Sequence, residues 1–180
     1  MTSRYDQLVA NLRAEFPRLR IVRKDHSLFQ RAIHVGLVAI TLGSMRRYLD
    51  SFQTTIGTTV YVTPDWDSWP DERRYVTMRH EAIHLRQFRR YTLPGMALCY
   101  LLLPFPMGFA WCRARLEQEA YAETIRAAAE VHGVDYPRGA AFRDGIIAQF
   151  TGPSYGWMWP FRSSLEAWYD RVLATLEARG

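Results

Sequence analysis

The residues whose types and spacing could do chemistry are His80-Glu81-Ala82-Ile83-His84, inside the stretch TMRHEAIHLR. On a helix, positions i and i+4 lie one above the other. His80 and His84 can therefore offer imidazole nitrogens to a single ion, the H-E-x-x-H spacing of zinc sites. Glu81 is rotated one step round the helix, where it can reach a water beside the ion without being a ligand. Read structurally instead, the same stretch is a helix with two incidental histidines.

Two imidazoles do not complete a catalytic zinc site, which usually has three protein ligands and an open position. The segment Arg113–His132, RARLEQEAYAETIRAAAEVH, has strong helix formers and ends at Gly133. Glu119 is the expected third ligand. Glu123 lies four residues on, on the same face, and is expected to accept the outer N–H of a ligand histidine and fix its tautomer. Glu117 is the rival ligand, about 160° away from Glu119 on a helical wheel, so both cannot serve. His132 is a weaker rival at the fraying end. Without the upstream motif, this segment reads as an exposed helix laced with Arg115–Glu119 and Arg126–Glu130 pairs.

HEAIH followed by EAYAE resembles the gluzincin clan of zinc metallopeptidases, in which H-E-x-x-H is joined by E-x-x-x-D or E-x-x-x-E on a later helix. The likeness covers roughly residues 47–130. It implies a zincin-like core, with His80, His84 and Glu119 as zinc ligands, Glu81 as general base and Glu123 in support. Arg86 stands where such motifs usually carry an apolar residue, and Glu123 where Asp is commoner.

The elements that must position these residues follow from pattern. Residues 3–16 read as an amphipathic helix on Tyr5, Leu8, Val9, Leu12 and Phe16, capped by Ser3 and ended by Pro17. Arg18–Arg23 alternates as a strand, and 27–40 suits a helix with strand as its rival. His26 and His34 have no partner at metal-binding spacing and read as surface or packed residues. Residues 47–63 read as a β-hairpin turning at Gly57, an edge able to take an extended peptide as an added strand. Ser68 is the expected N-cap of the motif helix, which should run from about Pro70 to Tyr91. Met78, Ala82 and Leu85 form an apolar face beside the one carrying Val76, His80, Ile83, His84 and Gln87.

Tyr91–Cys112 is 22 residues without a charge, between Arg90 and Arg113. A simple membrane span is rejected: it would set His84 and the glutamate helix about 30 Å apart, and Pro104 and Pro106 break it. A kinked hairpin buried against the core is favoured over one exposed to a membrane face or partner. Further on, 140–150 suits a short helix, and Gly152–Phe161 is an aromatic cluster that closes the core or lines a pocket, with Tyr155 a possible oxyanion donor. Ser164–Arg179 reads as a last helix with Leu165, Trp168, Val172 and Leu176 on one face.

Composition bounds the rest. At 180 residues and 48% hydrophobic, the chain has ordinary globular content and the length of one domain. Its net charge of +5 is nearly all arginine, with Lys24 the only lysine. The arginines are scattered, so no specific nucleic-acid partner is expected. Cys99 and Cys112 read as buried free thiols, and no secretory signal is visible, which together predict a reducing, cytoplasmic setting. The overall expectation is a single α+β zincin-like domain over 1–180, mostly helical, with a small sheet or hairpin on the motif helix. It is expected to be a monomeric zinc metallopeptidase acting on peptide or protein substrates. The alternatives are a non-catalytic zincin-fold scaffold and a membrane-docked metallohydrolase using 91–112.

Overall fold

A computed structural model describes residues 2–26, 53–101, 110–152 and 158–177. The chain divides into two compact units, Met1–Leu93 and Pro94–Gly180. The architecture is mostly helical with a small three-stranded sheet, consistent with the α+β class. The segment 27–40, half of the aromatic cluster (residues 153–157) and the start of the expected hairpin lie outside the described residues, as do His34 and Tyr155.

In the first unit, α1 (Arg4–Glu15) begins where the Ser3 side chain accepts the Asp6 N–H at 3.1 Å, as expected of an N-cap. Its periodic face buries Tyr5, Val9 and Leu12. The chain turns at Pro17 into β1 (Arg20–Arg23). Strands β2 (Thr54–Ile56) and β3 (Thr59–Val62) form the hairpin, with Gly57 at φ +60° in the left-handed region that glycine enters freely. The sheet order is β1-β3-β2, with β1 parallel and β2 antiparallel to β3. Thr55 is opposite Val60 in the register, and Val60 and Val62 alternate inward.

The motif helix is the first part of α2 (Asp71–Leu101). Its start differs from expectation. Ser68 ends a 3-10 turn and donates to the Asp65 carbonyl at 2.7 Å, while the Pro70 carbonyl accepts the Arg74 N–H at 3.0 Å. Proline supplies no side-chain cap; the acidic first turn of Asp71 and Glu72 complements the helix dipole instead. Met78, Ala82 and Leu85 are essentially fully buried, as their spacing implies. Glu15 ties α1 to α2, accepting from Arg86 at 2.8 Å and from Arg89 at 3.0 Å. Arg86, the charge that departs from the usual motif, is therefore committed to α1. The helical path is interrupted at Thr92 (φ 60°, ψ 170°), just ahead of Leu93-Pro94. Proline has no N–H to continue the ladder and disfavours helical backbone in the residue before it.

In the second unit, α3 (Trp111–His132) ends at Gly133, whose N–H reaches the Ala129 carbonyl at 2.9 Å. Helices α4 (Ala140–Thr151) and α5 (Arg162–Glu177) complete it. Ile125, Ile146, Ile147, Phe150, Leu165 and Tyr169 form the centre of its core, and the Tyr169 hydroxyl donates to the Pro137 carbonyl at 2.6 Å. Leu165, Trp168 and Val172 of α5 point inward as their spacing predicts.

Two expectations for the apolar connector are corrected. Cys99 and Cys112 are not free thiols; they are joined in a disulfide, with Cα atoms 5.5 Å apart. Apolar character made them read as buried thiols, whereas a Cα separation of 5.5 Å is within the range of a disulfide. Disulfides persist in oxidising compartments, so these cysteines no longer support a reducing one. Burial of the connector is also incomplete. Met96 and Ala110 are buried, but Leu93, Leu98 and Trp111 are each more than half exposed. Among the described residues, no helix is long and apolar enough to cross a membrane.

Candidate metal centre

The histidines of the H-E-x-x-H motif sit in the first half of α2, one turn apart and ahead of the interruption at Thr92. Nε2 of His84 lies 3.2 Å from Nε2 of His80. Two nitrogens bound to one tetrahedral metal at about 2.0–2.1 Å would sit about 3.3 Å apart, so the pair is spaced as ligands of a common ion. Nδ1 of His84 lies 2.9 Å from Oε1 of Gln87, which is 3% exposed. A carbonyl oxygen accepts only, so Nδ1 carries the hydrogen and Nε2 keeps its lone pair for a metal.

His80 retains some surface exposure, yet its imidazole is held well below the ordinary basicity of histidine. Burial is the larger cause, because it penalises the charged ring; the nearby His84 adds to it. Both effects favour the neutral imidazole that a metal requires.

Glu81 is 4% exposed, and its Oε2 accepts a hydrogen bond from the Thr55 hydroxyl of β2 at 2.7 Å. A polar oxygen at that depth needs a hydrogen-bond partner, and the Thr55 hydroxyl supplies one.

One ligand atom from each of His80, His84 and Glu117 lies within 4.8 Å of the others, a group near enough to hold a metal ion. Glu117, weighed as the rival, thus stands with the histidines where Glu119 was expected. The reason lies in the packing of α3. Glu117 is 3% exposed, whereas Glu119 falls on the exposed side of that helix. Glu123 accepts from Arg126 at 3.3 Å, and the outer hydrogen bond of His84 goes to Gln87. The ring of His132 stacks on Tyr136, with centroids 4.5 Å apart.

Two residues of the site were given no role by sequence reasoning. Gln87 was recognised on the histidine face, and its i+3 relation to His84 was the available signal. Thr55 carried no signal, since it is 26 residues from Glu81. The donor set of two imidazoles and one carboxylate could hold a divalent metal ion. Comparison with known proteins finds no match: the chain matches no protein-family model, no curated protein and no solved structure.

Proposed function

We propose that this protein is a zinc-dependent hydrolase of the gluzincin type, most simply a peptidase. The observation that carries the reading is the gathering of His80, His84 and Glu117 within 4.8 Å, with Glu81 next in sequence to a ligand. Two imidazoles and a carboxylate form a recurrent catalytic zinc set. Zinc in such a set supplies Lewis acidity, polarising a carbonyl and acidifying water.

The remaining roles fall to the chain itself. Glu81 takes a proton from the attacking water and passes it to the leaving amine. Gln87 fixes the tautomer of His84. Among the described residues β2 is the outer strand of the sheet beside the base, the position at which an extended peptide backbone would bind as an added strand. A structural zinc needs no general base, so a buried, hydrogen-bonded Glu81 weighs against a purely scaffolding role.

The test pairs elemental analysis with turnover of a panel of fluorogenic peptides. Wild-type protein is expected to hold one zinc per chain and to cleave some of the panel. Glu81→Gln should keep the zinc and lose turnover; a fully active Glu81→Gln protein would remove Glu81 from the mechanism.

A second reading, compatible with the first, is favoured by the exposure of Leu93, Leu98 and Trp111. Such side chains suit a peripheral contact with a membrane face or a protein through residues 91–112. Co-sedimentation with anionic vesicles, lost in Trp111→Ser, would support the membrane form; no sedimentation would end it.

A further inference from the structure

We propose that Thr55 is a positioning residue that holds Glu81 in place for proton transfer and away from the metal ligands. Its kinetic consequence rests on the hydrolase reading; its structural consequence does not. The Thr55 hydroxyl meets Oε2 of Glu81 at 2.7 Å, the length of a charge-assisted O–H···O contact. Both residues are buried, at 8% and 4% exposure, so water does not readily substitute for either partner.

The anchor is rigid. Thr55 is the middle residue of β2 and pairs with Val60, which is wholly buried, so the sheet fixes the direction of the hydroxyl. Glu81, in contrast, has three rotatable side-chain bonds and follows a ligand histidine directly. A glutamate there, left untethered, has a choice of two positions. One serves as a base beside the ion, and the other turns the carboxylate onto the ion as an extra ligand, closing the position that water needs. Engaging Oε2 from the strand selects the first and directs Oε1 to the proton. Misplacing a reacting group by about 1 Å costs on the order of 100-fold in rate, so a single hydroxyl can matter to turnover while adding little to binding.

The experiment compares Thr55→Val, which keeps shape and removes the donor, with Thr55→Ser, which keeps the donor. Zinc-loaded crystals of wild type and both variants are solved, and kcat, KM and zinc content are measured. In Thr55→Val the Glu81 carboxylate should leave its position or occupy several, and kcat should fall roughly 10–100-fold with KM and zinc content unchanged. Thr55→Ser should restore both carboxylate position and kcat. An unmoved Glu81 in Thr55→Val, or a loss that serine does not rescue, overturns the proposal. Absence of any wild-type peptide turnover would instead count against the peptidase reading, and the crystallographic comparison would still decide the role of Thr55.

Discussion

Nε2 of His80 and Nε2 of His84 face each other at 3.2 Å, with the ring centroids 4.9 Å apart and the planes inclined by 70°. Two ring nitrogens this close are unfavourable if both carry protons. Gln87 places the hydrogen of His84 on Nδ1, and burial disfavours the charged form of His80. His84 thereby keeps its Nε2 lone pair toward the shared position and His80 is held neutral, and the predictions below test the metal-binding role of this pair.

The carboxylate ligand is the most discriminating test. Glu117→Ala should weaken metal affinity by more than about 100-fold, because the candidate group loses one of its three side chains. Glu119→Ala should change it by less than about threefold, since that side chain is on the exposed side of α3. Competition with a chromophoric chelator measures both. The reverse ranking would return the ligand role to Glu119.

Gln87 should matter without touching the ion. Gln87→Leu removes the acceptor for Nδ1 of His84 and should lower metal affinity by about 10–100-fold. Gln87→Glu keeps an acceptor and should retain most of the affinity. Titration calorimetry reads both; equal affinity in Gln87→Leu and wild type would assign the bond no role in the site.

Acid should destabilise the metal-free protein through His80. Its folded pKa lies below the ordinary value of 6.5, so the unfolded chain binds the proton more readily. Above about pH 6.5 both states are neutral there and the stabilisation is complete. As pH falls below that value the unfolded state protonates first, and stability drops by up to about 1.4 kcal/mol per pH unit until the folded pKa is reached. Urea denaturation at several pH values should show this slope, and His80→Gln should flatten it. An identical slope in the variant would place the effect on another group.

The disulfide should stabilise the second unit. Closing a loop between residues 13 apart restricts the unfolded chain by about 3 kcal/mol. Cys99→Ser is therefore expected to lower resistance to urea by about 2–4 kcal/mol. A thiol reagent should find no reactive cysteine in the unreduced wild-type protein. Two titratable thiols after purification without reductant would contradict the bond.

Much of this arrangement was legible from local pattern. Ser3 as an N-cap, the turn at Gly57, the helix over His80–His84, the stop at Gly133 and the inward row Leu165, Trp168 and Val172 all arise from interactions within a few residues. Such interactions leave a periodic trace in the chain. Ser68 was misjudged because two turns compete for it, and its hydroxyl satisfies the nearer one at Asp65. The cysteine pair was misjudged because free and bonded cysteines have the same apolar surroundings in sequence.

By itself, the order of residues determined which helix presents two imidazoles and that a glutamate adjoins them, since a 3.6-residue period turns spacing directly into direction. Glutamates 117 and 119 are equally good helix residues with equal chemistry, and nothing local separates them. Burial did: the packing of α3 leaves Glu119 on the exposed side and encloses Glu117. The hydroxyl of Thr55 on Glu81 is likewise a consequence of strand register and helix placement, 26 residues apart in the chain. Helix periodicity acts over a handful of residues, whereas contact between distant segments exists only after the chain has collapsed. For that reason the histidine pair and its i+3 neighbour Gln87 were written in the sequence, whereas Glu117 and Thr55 were brought to them by the tertiary structure.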